Sequence, residues 1–423
     1  MKKVLAGILV TSTSLGQGQI IFDDESGVIL DVGDLAETTI DYQYADDCLV
    51  FAGMGDIHIH GREDVSGKHT YKEDFLSASR AALSGGVTHL CDMPNNPVAP
   101  IDDASYRAKW QLVERARCPL FLYAGIGPGT EPLSFKVPYK AYMGPSVGEL
   151  FFKNAAELEE AIKKYHHQWV SFHCEDPVLL EQCQSAATHL ARRPVGAELL
   201  ATDLALELIE KYSLNGKLCH YSAGDGLAKI KRAKERGVKV TCEVTPQHLY
   251  FSDSNIPSHK KTLFQMNPPI RQEEDRQQML AGLRAGLIDF LATDHAPHSP
   301  TEKAQGMSGL TGLDTYGGFV TWLILEQKID AKTIAAVCAE NPGQFINEFK
   351  STWSQLSTKY PLGAGLGFLR PGFAANFTIL NLQKPITIAA ENLHTKASWS
   401  PFEGVQFPGS VEDVFINGEQ RRP

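Results

Sequence analysis

The chain has 423 residues, 43% of them apolar and 21% charged, with 36 Gly and 23 Pro. That composition can bury a sizeable core and excludes disorder, collagen and coiled coil as the main organisation. Forty basic against fifty acidic residues leave a net charge of −10, so nothing in the overall charge attracts nucleic acid or an anionic membrane, and a small-molecule partner is expected.

The first segment, Met1 to Leu15, places Lys2 and Lys3 before the apolar Val4 to Val10. It has the outline of an export signal without a clear cleavage site, and reads equally well as a first β-strand. Short β-rich runs continue at Gln19 to Phe22 and Val28 to Val32, separated by Gly, Asp and Ser. Eight apolar or β-branched runs follow: Val50 to His60, Val87 to Met93, Leu120 to Ile126, Tyr139 to Met143, Trp169 to Cys174, Lys217 to Ser222, Lys239 to Val244 and Asp289 to Ala296. Helical patterns lie between several of them, at Glu73 to Leu83, Pro177 to Leu190, Glu198 to Tyr212, Asp225 to Arg236 and Glu274 to Ala285. Strand then helix, repeated eight times, predicts a (β/α)8 barrel. An open doubly wound sheet is the alternative, but no GxGxxG follows the early strands. The tail returns to β texture at Asn376 to Leu382, Ile386 to Ala389 and Val411 to Asn417. Each end is too short to close a core alone, so residues 1–52 plus 351–423 are expected to pair as a small β-sandwich beside a barrel at 53–350.

No apolar run reaches the ~20 residues that a membrane-spanning helix requires. The eight cysteines form no CxxC pair and sit mostly in apolar runs, which points to a reducing cytoplasm.

Active sites of barrel enzymes lie at the carboxyl ends of the strands, and there the chain carries metal-binding side chains. His58 and His60 close the first run; a spacing of two on a strand turns both imidazoles to one side, toward one cation. His173 ends the fifth run, His220 the sixth and Asp294 the eighth. A lone histidine at a strand end is more often structural. Four histidines and an aspartate at equivalent ends predict a metal centre, and ligands without thiolate suit Zn2+, with Mn2+ or Co2+ as substitutes. Lys140 ends the fourth run. An ammonium cannot ligate a cation, but an amine carrying CO2 is an anionic carbamate able to bridge two metals.

These motifs resemble the dihydroorotases of the amidohydrolase superfamily: DIHIHGRE at 56–63, MPNN at 93–96, KAYMG at 140–144, HCED at 173–176, NPPIR at 267–271 and DHAPHSPTEK at 294–303. The resemblance runs from the first β segments to the VEDVFING ending. It implies that His58, His60 and Asp294 hold one Zn2+, His173 and His220 a second, that carboxylated Lys140 bridges them, and that Asp294 moves the proton during attack on the ring. It further implies that Arg62, Asn95 and His298 grip the substrate carboxylate and that Asn267 contacts the ring. Hydantoinases, dihydropyrimidinases and allantoinase share the metal ligands, but their neutral rings give no reason for Arg62. Some relatives that have lost ligands serve as assembly subunits, a role that an intact ligand set argues against. Homodimers are common in the family. Two positions depart from its pattern: Asp64 follows Arg-Glu where Pro is frequent, and Gln247 stands where a second histidine is common. The loop Pro145 to Asn154 reads either as a segment closing over substrate or as a packed connector with Phe151 and Phe152 in the core.

Overall fold

The computed structural model describes residues 1–145, 150–357 and 359–422. Eight parallel strands follow one another in order: Met54–Ile59, Val87–Asp92, Leu120–Leu122 continued by Ala124–Ile126, Tyr139–Tyr142, Trp169–His173, Asn215–Leu218, Val240–Val244 and Phe290–Leu291. Each pairs with the next, and the ring closes between the eighth and the first. At that closure the His60 amide donates to the His295 carbonyl at 2.7 Å, and the Asp56 carboxylate accepts the Thr293 amide at 3.1 Å. The barrel strands are buried along nearly their whole length, as expected of parallel strands covered on both faces.

The intervening helices start at sequence-encoded caps. Asp74 and Ser77 form a capping box on Phe75–Ser84, Asp102 and Ser105 another on Asp103–Val113, and the Asn154 side chain accepts the Glu157 amide ahead of Ala155–Ile162. The eightfold alternation has one exception: the connection from Gly127 to Pro138 holds no helix, because Pro128, Pro132 and Pro138 remove amide donors that a helix would need. The helix expected over Pro177 to Leu190 is two, Pro177–Cys183 and His189–Arg192, with Thr188 capping the second by accepting the Ala191 amide.

The run Val50 to His60 is likewise two strands. Cys48–Ala52 belongs to a different sheet, and the chain crosses into the barrel at Gly53, where a Cβ would meet Thr88 Oγ1 at 2.3 Å. Only glycine lets the backbone pass that close.

That second sheet has eight strands and joins the two ends of the chain. Its central pairing sets Cys48–Ala52 antiparallel to Phe377–Asn381, with Lys2–Val10 and its hairpin partner on one side and Ser410–Ile416 on the other. Leu5, Ile20, Phe22, Val50, Phe377 and Phe415 form its own buried cluster. Within the carboxyl-terminal segment, the helix Lys350–Leu356 leans on the barrel, its Trp353 ring 4.4 Å from Phe121. Of the 145–154 loop, residues 146–149 lie outside the described residues, while Phe152 is fully buried in the barrel core. Among the described residues no helix is long and apolar enough to cross a membrane.

Candidate active site

Histidines from the first, fifth and sixth strands meet an aspartate that follows the eighth. His58, His60 and Asp294 bring one ligand atom each within 4.8 Å of one another. Asp294 Oδ1 lies 3.2 Å from His58 Nε2 and 3.0 Å from His60 Nε2. The His220 ring stands 5.2 Å from that of His58 and 4.8 Å from that of His173, and His173 Nδ1 is 3.0 Å from His220 Nε2. The four imidazoles therefore form one continuous cluster.

The backbone delivers several of these side chains in an unusual conformation. Arg62, His220 and Asp294 have φ of 58°, 36° and 48°, in the left-handed region that non-glycine residues seldom adopt. All three come just after a barrel strand, where the chain turns sharply out of the sheet.

Neighbouring groups orient the ligands. His58 Nδ1 faces Glu243 Oε1 at 2.6 Å and His60 Nδ1 faces Asn95 Oδ1 at 2.7 Å, which leaves each Nε2 turned toward Asp294. Glu243 also accepts the His220 amide and an ion pair from buried Lys217. His173 Nε2 reaches Glu175 at 2.8 Å, and Arg193 clamps Glu175 in turn. Partners of this kind fix tautomer and ring orientation at metal sites.

Burial pushes the imidazoles of His58, His60, His173 and His220 below their usual range, His58 to about 4. They are therefore neutral, the form that donates a lone pair. Burial alone would raise Asp294, but the adjacent His58 and His60 outweigh it and hold the carboxyl below its ordinary value. Glu243 is likewise kept ionised against burial by Lys217 and His58.

Lys140 is wholly buried beside the cluster, and its Nζ has no hydrogen-bond partner among the described residues; His220 Nδ1 has none either. A buried ammonium without an anion costs several kcal/mol, of order that of any unpaired buried ion. The same position suits an anionic carbamate ligand. The donor set of neutral imidazoles, a carboxylate and these orphaned atoms fits one or two divalent cations.

The cavity over the cluster is lined by His58, His60, Arg62, Asn95, Asn267 and Asp294, with Tyr142 and Gly309 also on its wall. Asn267 Oδ1 and the Tyr142 hydroxyl are buried without partners among the described residues. His298 stands behind this wall, its Nε2 3.2 Å from Arg62 Nη2. Thus eight of the ten residues singled out from the sequence line the cavity, Lys140 lies buried beside the cluster, and His298 adjoins the cavity through Arg62.

The profile of the amidohydrolase family matches residues 49–421. The chain belongs to that family. It is a hydrolytic enzyme of cyclic amides. It is 32% identical over 403 residues to the dihydroorotase of Bacillus subtilis, covering 88% of this chain and 86% of that protein. It is 31% identical over 408 residues to the dihydroorotase of Bacillus licheniformis, covering 90% and 89%. In three dimensions it resembles the L-hydantoinase of Arthrobacter aurescens, with a TM-score of 0.87 at 22% identity over 100% of this chain and 96% of the other, which speaks to fold alone.

Sequence reasoning missed Glu243, Glu175, Lys217 and Tyr142. Glu243 lies in the seventh strand, so the rule that found the other strand-end residues extends to it. Glu175 is two residues beyond His173 in the HCED motif.

Proposed function

We propose that this enzyme is a dihydroorotase, catalysing reversible hydrolysis of (S)-dihydroorotate to N-carbamoyl-L-aspartate in de novo pyrimidine biosynthesis, with zinc held by His58, His60, His173, His220, Asp294 and carboxylated Lys140. The observation that carries the reading is Arg62. Its guanidinium is buried at the cavity wall, and among the described residues its Nε has no partner and it forms no ion pair with a carboxylate. An arginine remains charged even when desolvated, and a planar fork of donors matches a carboxylate. A neutral hydantoin or dihydrouracil ring would leave that charge uncompensated; dihydroorotate brings the anion. The curated relatives named dihydroorotases support the same substrate.

Bound metal would polarise the ring carbonyl and make water more acidic. The remaining chemistry belongs to the chain. Arg62, with Asn95, anchors the carboxylate, and Asn267 meets the ring. Asp294, ionised at neutral pH and aimed between His58 and His60, takes a proton as the C–O bond forms. It returns that proton to the ring nitrogen as the C–N bond breaks. Run backward, the same steps close the ring. A cytoplasmic location accords with the eight free thiols.

The test is to purify the chain, measure zinc per chain, and assay dihydroorotate beside dihydrouracil, hydantoin and allantoin. Turnover of the acid with bound zinc is expected, and Arg62→Met should raise KM for dihydroorotate strongly while retaining zinc. Turnover of neutral rings alone would make it a hydantoinase, and a metal-free, inactive protein would make it a scaffold subunit.

A further inference from the structure

Behind Arg62 lies an arrangement that the hydrolysis itself does not explain. Both ring nitrogens of buried His298 have a cation as nearest polar neighbour: Nε2 is 3.2 Å from Arg62 Nη2, and Nδ1 is 3.3 Å from Lys72 Nζ, with Glu302 Oε2 farther from Nδ1 at 3.8 Å. Lysine and arginine can only donate, whereas a neutral imidazole accepts at one nitrogen and donates at the other. One of the two contacts therefore lacks an acceptor.

The surroundings decide which. Lys72 is buried and anchored, its Nζ 2.6 Å from Glu302 Oε1, and Glu302 is itself fixed by the Ser299 amide at 2.9 Å and the Tyr71 hydroxyl at 2.8 Å. Lys72 does not line the cavity over the cluster, whereas Arg62 does, and Gly309 beside it is so close to His298 that a Cβ there would come within 2.9 Å of the imidazole. The charges near His298 also fail to cancel, since Arg62, Lys72 and Lys303 all act on it from the cationic side and Glu302 is the carboxylate nearest to it.

Resting on the acidic-substrate reading above, we propose that Lys72 is a positioning residue: by donating to His298 Nδ1 it keeps the imidazole proton on Nε2, so that His298 cannot accept from Arg62 and the guanidinium keeps its donors for one substrate carboxylate. Two adjacent N–H groups without an acceptor between them are poorly satisfied until an anion arrives. The fork thus discriminates against neutral rings by leaving unpaired donors when one binds.

The experiment uses zinc-loaded enzyme labelled with 15N at histidine, with His298→Asn to assign the resonance. Long-range 15N–1H spectra of the wild type should place the proton on Nε2, and Lys72→Met should move it to Nδ1. In assays, Lys72→Met should raise KM for dihydroorotate about tenfold with kcat within about threefold and zinc content retained, and Lys72→Arg should recover most of the loss. A wild-type proton on Nδ1, or an unchanged KM in Lys72→Met, overturns the proposal. Should Lys72→Met not fold, Glu302→Gln, which releases the Lys72 anchor, is read by the same spectrum and the same KM. If the wild type ignores dihydroorotate while its Nε2 is protonated, the substrate reading fails and the tautomer assignment stands.

Discussion

On one side of the histidine cluster, His58, His60 and Asp294 hold one another at hydrogen-bond distance, and each imidazole has an oriented partner in Glu243 or Asn95. On the other side, His220 Nδ1 and Lys140 Nζ are buried with no hydrogen-bond partner among the described residues. The first half is electrostatically complete as a protein structure. The second half is not, and under the proposed function CO2 and cations supply its missing partners. The contrast teaches that the two halves should respond differently to mutation and to metal removal.

The largest effect is expected at the residue shared between structure and chemistry. Asp294→Asn should lower kcat about 10³-fold, the scale of a lost general acid–base group, with secondary structure by circular dichroism intact; a residual rate within tenfold of wild type would remove Asp294 from proton transfer. Lys140→Met comes next. It should lose one zinc of two, measured by mass spectrometry of metals, together with most turnover, and added short carboxylates should restore part of both if a carbamate is what the site needs. Unchanged stoichiometry would refute a bridging role. Glu243→Gln touches both halves, through the His58 imidazole and the His220 amide. Zinc affinity by competition with a chelator should fall roughly 10–100-fold, and an effect confined to kcat would contradict its orienting role.

The smallest predicted effect lies outside the cluster, where metal is not involved. His89 on the second strand is held neutral by burial, its pKa lowered to about 3 from 6.5. The unfolded chain takes up this proton below pH 6.5 while the folded one does not, so the folded state is favoured above that value. Stability should then fall on acidification from 6.5 toward 3. The urea midpoint of His89→Gln should depend less steeply on pH across 6.5 to 5, and parallel curves would show that His89 contributes nothing.

Much of the barrel was legible because buried parallel strands read as apolar runs and helix caps are local. The interruption at Gly53 was not, since Cys48–Ala52 and Met54–Ile59 are equally apolar and only the approach of Thr88 separates them. The missing helix after the third strand could have been seen in its three prolines. Within the site, the spacing of His58 and His60 carries its own geometry, whereas Lys140 has a role there only if its amine carries CO2. Glu243 and Lys72 escaped notice because a charge in an apolar run or a loop says nothing of its partner until the fold brings distant segments together: Lys72 meets His298 across 226 positions.

The shared sheet has a consequence for how the enzyme is made. Cys48–Ala52 leaves the ribosome well before Phe377–Asn381, its antiparallel neighbour, and must wait for it. During that interval Cys48–Ala52 carries an open, strongly apolar edge. Such an edge invites pairing with another nascent chain, so soluble yield should depend on how quickly Phe377–Asn381 follows, and a slowly translated message would be expected to send more of the product into inclusion bodies.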